Sequence, residues 1–185
     1  MLMRVITGTA RGRKLITPNG TDIVRPTSEK VKEAIFSAIQ FDIEGRRVLD
    51  LFAGSGQLGI EALSRGAASA VFVDSSSTSL GVVKKNLEAT GLSAAATVIS
   101  GDYSSFLLRC NDMFDIVFLD PPYNSGFLAD ALGKVTKLLS DYGFVFCEHP
   151  TGAVLPETVN AFGIKRVYKF GTVSVTMYKK DVHDE

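Results

Sequence analysis

Cysteine and histidine are scarce in this chain of 185 residues, which contains two of each. Cys110 and Cys147 lie in apolar segments without a second cysteine at the spacing of a metal site, and His149 and His183 are far apart in the chain. We therefore expect no metal site, and we interpret both cysteines as buried free thiols.

Long apolar runs are also missing. No run approaches the roughly 20 residues that a membrane helix needs, and the first residues lack the apolar stretch of a signal peptide. The composition, with 45% hydrophobic and 22% charged residues, is that of a globular protein. The length suits one domain spanning residues 1–185. We expect a cytoplasmic protein with no membrane partner and, by default, a monomer.

Positive charge is concentrated at the amino-terminal end, although the net charge of the chain is zero. Residues 1–47 contain nine basic and five acidic residues, a net charge of +4, and the remainder contains eleven and fifteen, a net charge of −4. This asymmetry favours an anionic partner at the amino-terminal end no more strongly than it favours ordinary surface charge.

The first part of the chain predicts a hairpin and a helix. Two short β-prone runs, residues 4–6 and 14–16, flank a glycine-containing turn and predict a β-hairpin within an extension of residues 1–20. Thr27 is then expected to cap a helix whose apolar residues follow at helical spacing.

From Arg47 onward, predicted strands and helices alternate. The strands are expected at residues 48–52, 70–74, 97–99, 116–120 and 144–148, and the helices at 58–65, 78–89, 103–109 and 127–139. Two further strands, 165–170 and 173–178, have no helix between them and should form an antiparallel hairpin. The pattern predicts an α/β fold with a doubly wound, mostly parallel sheet of seven strands.

A glycine-rich turn follows the first of these strands. Asp50 precedes Gly54, Gly56 and Gly59, and glycines at such a place let the backbone approach a ligand closely. The spacing is also that of a dinucleotide fingerprint, and Asp74 on the next strand would bind ribose hydroxyls in either case. Asp50 opposes a pyrophosphate but suits the cationic amino-acid end of S-adenosylmethionine, so the turn favours a methyltransferase.

Asp102 follows the third strand of the alternating region. Its carboxylate could accept a hydrogen bond from an adenine amino group, or it could cap the helix that begins at Tyr103. The residue taken alone favours neither role over the other.

The segment Asp120-Pro121-Pro122-Tyr123 ends the fourth strand. The prolines stiffen the backbone and lack N–H donors, so the Asp120 carboxylate and the Pro121 carbonyl form an edge of acceptors. Such an edge can hold an exocyclic amine through its two N–H groups and orient its nitrogen toward a methylsulfonium. Tyr123 offers a face on which a base that has left its helix can stack. A proline turn with a packing tyrosine is the far weaker interpretation.

With these motifs, the chain resembles the bacterial family that methylates the N2 amine of a guanine in 16S ribosomal RNA, ribosomal small subunit methyltransferase D. The resemblance covers nearly the whole chain and rests on residues 11–15, 25–27, 48–56 and 58–67 and on the Asp-Pro-Pro-Tyr segment. It implies a Rossmann-like class I fold, S-adenosylmethionine as methyl donor, and small-subunit ribosomal RNA or the 30S subunit as partner.

The resemblance also implies roles for individual residues. The cofactor site would comprise Asp50, Phe52, Gly54, Gly56, Asp74, Asp102 and Tyr103. The catalytic loop would comprise Asp120, Pro121, Pro122 and Tyr123. RNA phosphates would be contacted by Arg4, Arg11, Arg13, Lys14 and Arg25.

Three other functions are compatible with parts of the sequence. A DNA adenine-N6 methyltransferase would use the same acceptor loop, but the hairpin and the segment 25–27 favour the ribosomal interpretation, and the chain has no room for a separate DNA-recognition domain. An NAD-linked oxidoreductase is supported only by the glycine spacing. A non-catalytic RNA-binding module would not need the acids and glycines that are present.

Overall fold

The fold is given by a computed structural model that describes residues 3–18, 28–123 and 126–180. Two of the sequence predictions, the RNA contact of Arg25 and the helix cap at Thr27, fall on residues outside these ranges. The helix predicted after Thr27 is present, and Ser28 is its N-cap, because the Ser28 hydroxyl oxygen accepts a hydrogen bond from the Val31 N–H.

The described residues form five α-helices and ten strands. The helices are α1 (Glu29–Ala38), α2 (Gln57–Ser64), α3 (Ser77–Thr90), α4 (Tyr103–Arg109) and α5 (Phe127–Val135). The strands are β1 (Met3–Arg4), β2 (Lys14–Leu15), β3 (Arg47–Asp50), β4 (Ser69–Asp74), β5 (Ala96–Ser100), β6 (Phe114–Leu119), β7 (Leu139–Pro150), β8 (Thr158–Val159), β9 (Phe162–Phe170) and β10 (Val173–Lys180).

Eight of these strands form one mixed sheet in the order β5-β4-β3-β6-β7-β10-β9-β8. The first five are parallel, and β10 runs antiparallel between β7 and β9. The predicted fold class is confirmed, with the two-residue β8 as an additional strand that the sequence did not indicate. The chain order reverses between β3 and β6, and in open α/β sheets a ligand crevice forms at such a switch point.

Helices cover both faces of the sheet. Alternate residues of each central strand enter opposite cores: Val48 and Phe118 pack with α1, α2 and α3, whereas Leu49 and Leu119 pack with α4 and α5. A strand buried on both faces needs apolar residues throughout, which explains the apolar run of β6.

The boundary between α5 and β7 differs from the predicted one. The helix expected to reach residue 139 ends at Val135, a 3₁₀ turn follows, and β7 begins at Leu139, five residues before the expected start. The Thr136 hydroxyl donates to the carbonyl of Leu132 at 3.0 Å, a side-chain bond that competes with helix continuation. The pairing of Leu139 with Phe114 then extends β7.

The predicted amino-terminal hairpin is present as the antiparallel pair β1–β2, and it is docked onto α2. Glu61, which is fully buried, accepts hydrogen bonds from the backbone N–H groups of Ile6 and Thr7 at 2.8 and 3.0 Å. Gly8 has a φ of +92°, and a Cβ there would lie 1.7 Å from the Ser64 carbonyl oxygen, so only glycine fits this contact.

The two cysteines are free, as expected, but they differ in burial. Cys147 is fully buried, and burial raises the pKa of its thiol. Cys110 is only half-buried, so the expectation of a buried thiol is wrong at that position. Within the ranges that the structure describes, no three His, Cys, Asp or Glu side chains are grouped to hold a metal ion, and no helix has the length and apolar character to cross a membrane.

Candidate active site

Two acids hold the glycine-rich turn from opposite ends. Asp50, at the end of β3, accepts a hydrogen bond through Oδ2 from the Gly59 N–H at 3.0 Å. Asp74, at the end of β4, accepts from the Gly54 N–H at 2.9 Å and from the Ser76 N–H at 2.8 Å. The turn therefore has a defined shape, and each Asp74 oxygen keeps a second lone pair for a ligand hydroxyl.

The glycines of this turn have separate structural reasons. Gly54 and Gly56 have φ values of +55° and +77°, which side-chain-bearing residues rarely adopt. Gly59 lies in α2, and a Cβ there would approach the Phe72 ring to 2.3 Å. Because glycine has no Cβ, α2 can pack directly on β4. The turn combines backbone open to a ligand with close helix–sheet packing, as in nucleotide-binding α/β folds.

Asp50 is an energetically unfavourable group in the free protein. Burial raises the pKa of its carboxyl group to about 7, the hydrogen bond from Gly59 lowers it, and the nearby negative charge of Asp74 raises it. A buried acid with a raised pKa close to a ligand-binding turn is typical of functional sites. A cationic ligand group placed beside it would favour its ionised form.

Three aromatic rings meet beside the glycine turn. Phe52 lies 5.2 Å from Tyr103 between ring centroids, and Phe127 lies 5.1 Å from Tyr103 and 6.5 Å from Phe52. The Tyr103 hydroxyl donates to Asp130 at 2.9 Å, and Lys134 binds the same carboxylate at 2.6 Å, which fixes the ring. Phe52 and Tyr103 were predicted cofactor residues, whereas Phe127 was missed because no local pattern links it to that turn.

Asp102 caps α4, the alternative that the sequence left open. Its Oδ1 accepts from the Ser105 N–H at 2.9 Å, and this hydrogen bonding lowers the pKa of the carboxyl group. The residue is exposed beside Tyr103. The cap accounts for one oxygen, and a contact of Asp102 with an adenine amino group stays a prediction.

The acceptor loop, residues 120–123, begins at the end of β6, on the other side of the switch point. Asp120 is half-buried and Pro121 buried, whereas Pro122 and Tyr123 are exposed. The Tyr123 hydroxyl donates to Oε1 of Glu148 at 3.2 Å, and its side chain is 38% exposed, so the ring is tethered while a surface remains for stacking. Sequence analysis missed Glu148, although an acid that ends an apolar strand is the signal that identified Asp50, Asp74 and Asp120.

The strand order brings the two loops together. The Leu51 N–H at the start of the glycine turn donates to the Phe118 carbonyl of β6 at 3.2 Å. Because β3 and β6 are parallel neighbours, their carboxyl ends lie at one edge of the sheet. The predicted cofactor turn and the predicted catalytic loop are therefore adjacent, although about 70 residues separate them in the sequence.

The residues of the glycine turn fit the amino-acid and ribose parts of S-adenosylmethionine. Asp50 is a buried acid whose ionised form would pair with the cationic end, and Asp74 would offer acceptors to hydroxyl groups. Gln57, the first residue of α2, is 5% exposed, and its Oε1 has no hydrogen-bond partner within the described part of the chain. A buried amide oxygen without a donor is costly, and a ligand N–H would satisfy it.

Four of the basic residues predicted to contact RNA, Arg4, Arg11, Arg13 and Lys14, lie on the described hairpin. Arg11, Arg13 and Lys14 are exposed at its turn and second strand. Arg4 differs, because its guanidinium forms an ion pair with Glu29 at 2.9 Å and would have to share that carboxylate to bind a phosphate. Their contact with RNA stays a prediction.

A family model described as Conserved hypothetical protein 95 matches residues 3–179, almost the whole chain. The chain belongs to this family. One relative, YlbH of Bacillus subtilis, is 42% identical over 96% of this chain and 99% of its own length. The ribosomal RNA small subunit methyltransferase D of Escherichia coli K12 is 33% identical over 99% of this chain and 92% of its own. The solved structure of the Escherichia coli protein yhhF covers 99% of this chain and all of its own, with 34% identity and a TM-score of 0.87.

Family membership confirms the resemblance seen in the sequence. The chain has the fold of a methyltransferase. The Escherichia coli relative is named a methyltransferase, which favours the methyltransferase interpretation of the glycine turn over the dinucleotide interpretation.

Proposed function

We propose that this chain transfers the methyl group of S-adenosylmethionine to the exocyclic N2 amine of a guanine in small-subunit ribosomal RNA. The observation that carries the proposal is the position of the acceptor loop directly beside the glycine turn, across the switch point of the sheet. A donor site and an amine-holding site at one edge are what a single direct transfer requires.

The hydrogen-bond acceptors of this loop explain why the group that would receive the methyl is an amine. A guanine N2 amine has two N–H donors and a lone pair delocalised into the ring, so it is a poor nucleophile. The Asp120 carboxylate and the Pro121 carbonyl would accept one N–H each and favour a more pyramidal nitrogen. Tyr123, tethered to Glu148, would stack on the base and orient it. The bound cofactor supplies an electrophilic methyl group on its sulfonium.

The relatives support ribosomal RNA as the substrate. The Escherichia coli relative is named a methyltransferase of small-subunit ribosomal RNA, and YlbH is provisionally assigned as an rRNA methyltransferase. The exposed basic residues of the hairpin, Arg11, Arg13 and Lys14, supply a surface for phosphates. Guanine N2 as the target follows from the resemblance stated above together with the acceptor loop.

The test is to identify the labelled nucleoside. The protein is incubated with tritiated S-adenosylmethionine and, separately, with unmethylated small subunits, naked ribosomal RNA and DNA, and each polymer is digested to nucleosides. We expect label in N2-methylguanosine from ribosomal RNA, and none with the Asp120→Ala control. Label in N6-methyladenine from DNA would assign the chain to the rival class of adenine methyltransferases. No label in any polymer would overturn the proposal.

A further inference from the structure

Glu148 is a buried acid beside the acceptor loop, and the proposed reaction assigns it no contact with the substrate. It lies near the end of β7 with 6% of its surface exposed, and its Oε1 accepts the hydroxyl proton of Tyr123 at 3.2 Å. Burying a carboxylate is costly, and a structural strand end does not require one. Its position next to a substrate-binding residue therefore indicates a function.

The sheet register places Glu148 beside Asp120. Leu119 of β6 pairs with Cys147 of β7 in parallel, so the next residues on the two strands, Asp120 and Glu148, are neighbours. Both follow by two positions residues of the same core, Phe118 and Phe146, so both belong to the same face of the sheet. The register thus places a second acid, Glu148, beside the strand end from which the acceptor loop begins.

We infer that Glu148 determines base specificity by accepting the N1–H of the target guanine. This inference rests on the proposed function, because it requires guanine N2 at the acceptor loop. Guanine projects the N1–H and the N2 amine side by side from one edge of its ring. The backbones of neighbouring strands lie about 4.8 Å apart, and the side chains that extend from them can bring their carboxylate oxygens to the closer spacing of this donor pair. Adenine presents a lone pair at N1, which a carboxylate repels.

The substrate side of this inference can be tested with the wild-type protein. The target guanosine, once its position in the labelled RNA has been mapped, is replaced in a synthetic RNA by 2-aminopurine riboside. This analogue keeps the exocyclic amine at C2 but has a lone pair instead of a proton at N1. We expect kcat/KM for methyl transfer to fall by about 100-fold or more, because the Glu148 carboxylate would face the N1 lone pair and neither group has a proton to donate.

The protein side is tested with Glu148→Gln. A glutamine can donate its amide N–H to the N1 lone pair of 2-aminopurine and can still accept from guanine. We expect the guanosine-to-2-aminopurine ratio of kcat/KM to fall by about tenfold or more relative to the wild type. The analogue lacks O6 in both measurements, so the change in ratio reports on N1 alone.

Tyr123→Phe is the matched control, because it removes the hydrogen bond to Glu148 and leaves the carboxylate and the ring. If Glu148 reads N1, this variant keeps the wild-type ratio even if its overall rate falls. A Glu148→Gln ratio equal to that of the wild type would overturn the inference and leave Glu148 as a support for Tyr123. If Glu148→Gln does not fold, equal wild-type rates on the two bases would overturn it instead.

The two proposals fail in different ways. Absence of N2-methylguanosine in the labelling experiment removes the proposed function and the base contact together. Methylation of guanine N2 with an unchanged base ratio in Glu148→Gln removes only the base contact.

Discussion

The glycine turn after β3 and the acceptor loop after β6 lie side by side but are built in opposite ways. In the turn, the backbone N–H groups of Gly54 and Gly59 are occupied by carboxylates, and glycines give the chain its positive φ values. In the acceptor loop, two prolines remove N–H groups and leave oxygen acceptors. In the proposed reaction, the first loop receives a cationic ligand and the second receives a hydrogen-bond donor. The difference shows how one sheet edge can bind two reactants and keep them distinct.

The largest expected effect comes from removing the acceptor carboxylate. Asp120→Ala should lower kcat by about 100- to 1,000-fold, because the amine loses one of the two groups that orient it. The cofactor dissociation constant, measured by calorimetry, should stay within about twofold of the wild type, because the glycine turn is unchanged. The kcat of Asp120→Asn, which keeps one acceptor oxygen, should lie between those of the wild type and Asp120→Ala. Near-wild-type turnover in Asp120→Ala would contradict the acceptor mechanism.

Asp50→Asn should separate stability from cofactor binding. The folded protein holds a proton on Asp50 up to about pH 7, whereas the ordinary pKa is 3.8, so this group lowers the stability of the free protein as pH rises between these values. The neutral amide avoids that cost, and we expect the free variant to melt about 3 °C higher at pH 8.

Cofactor binding should show the opposite response to the same change. The wild-type affinity should weaken by up to about tenfold per pH unit below pH 7, because binding a cation requires the ionised acid. Asp50→Asn should bind the cofactor at least about tenfold more weakly at pH 8 and lose this pH dependence. An affinity independent of pH in the wild type would exclude an ion pair with Asp50.

The smallest expected effect is a loss of RNA affinity, and it tests whether the hairpin contributes to binding of RNA or of the cofactor. Gly8→Ala puts a Cβ into the Ser64 carbonyl and should shift the hairpin, whereas Gly12→Ala at a similar φ of +80° meets no atom within 4 Å. We expect Gly8→Ala to weaken RNA binding by about tenfold and to spare cofactor binding. Gly12→Ala should show only the cost of its backbone conformation. If Gly8→Ala and Gly12→Ala bound RNA with equal affinity in a filter-binding assay, the hairpin would have no part in RNA recognition.

The sequence predicted the parts of the site that depend on local patterns. Asp50, Asp74 and Asp120 each end an apolar strand, so their convergence follows from the general rule for parallel sheets. Phe127 escaped prediction because its role depends on which elements become neighbours, here the start of α5 beside Phe52. Glu148 carries the same local signal as these acids, but its place beside the acceptor loop depends on β7 lying next to β6. The predicted end of α5 was wrong for a related reason, since the pairing of Leu139 with Phe114 extends β7 beyond its apolar segment.

The docking of the hairpin has a consequence for the order of events during synthesis. Asn86 of α3 donates to the carbonyls of Ile16 and Ser55 and accepts from the Ile16 N–H, so one side chain joins the hairpin to the glycine turn. The hairpin leaves the ribosome before its partners in α2 and α3, which follow 54 to 70 residues later in the chain. Until α2 and α3 have been synthesised, the hairpin lacks these contacts. A segment that is made before its partners is thus held in place only after them.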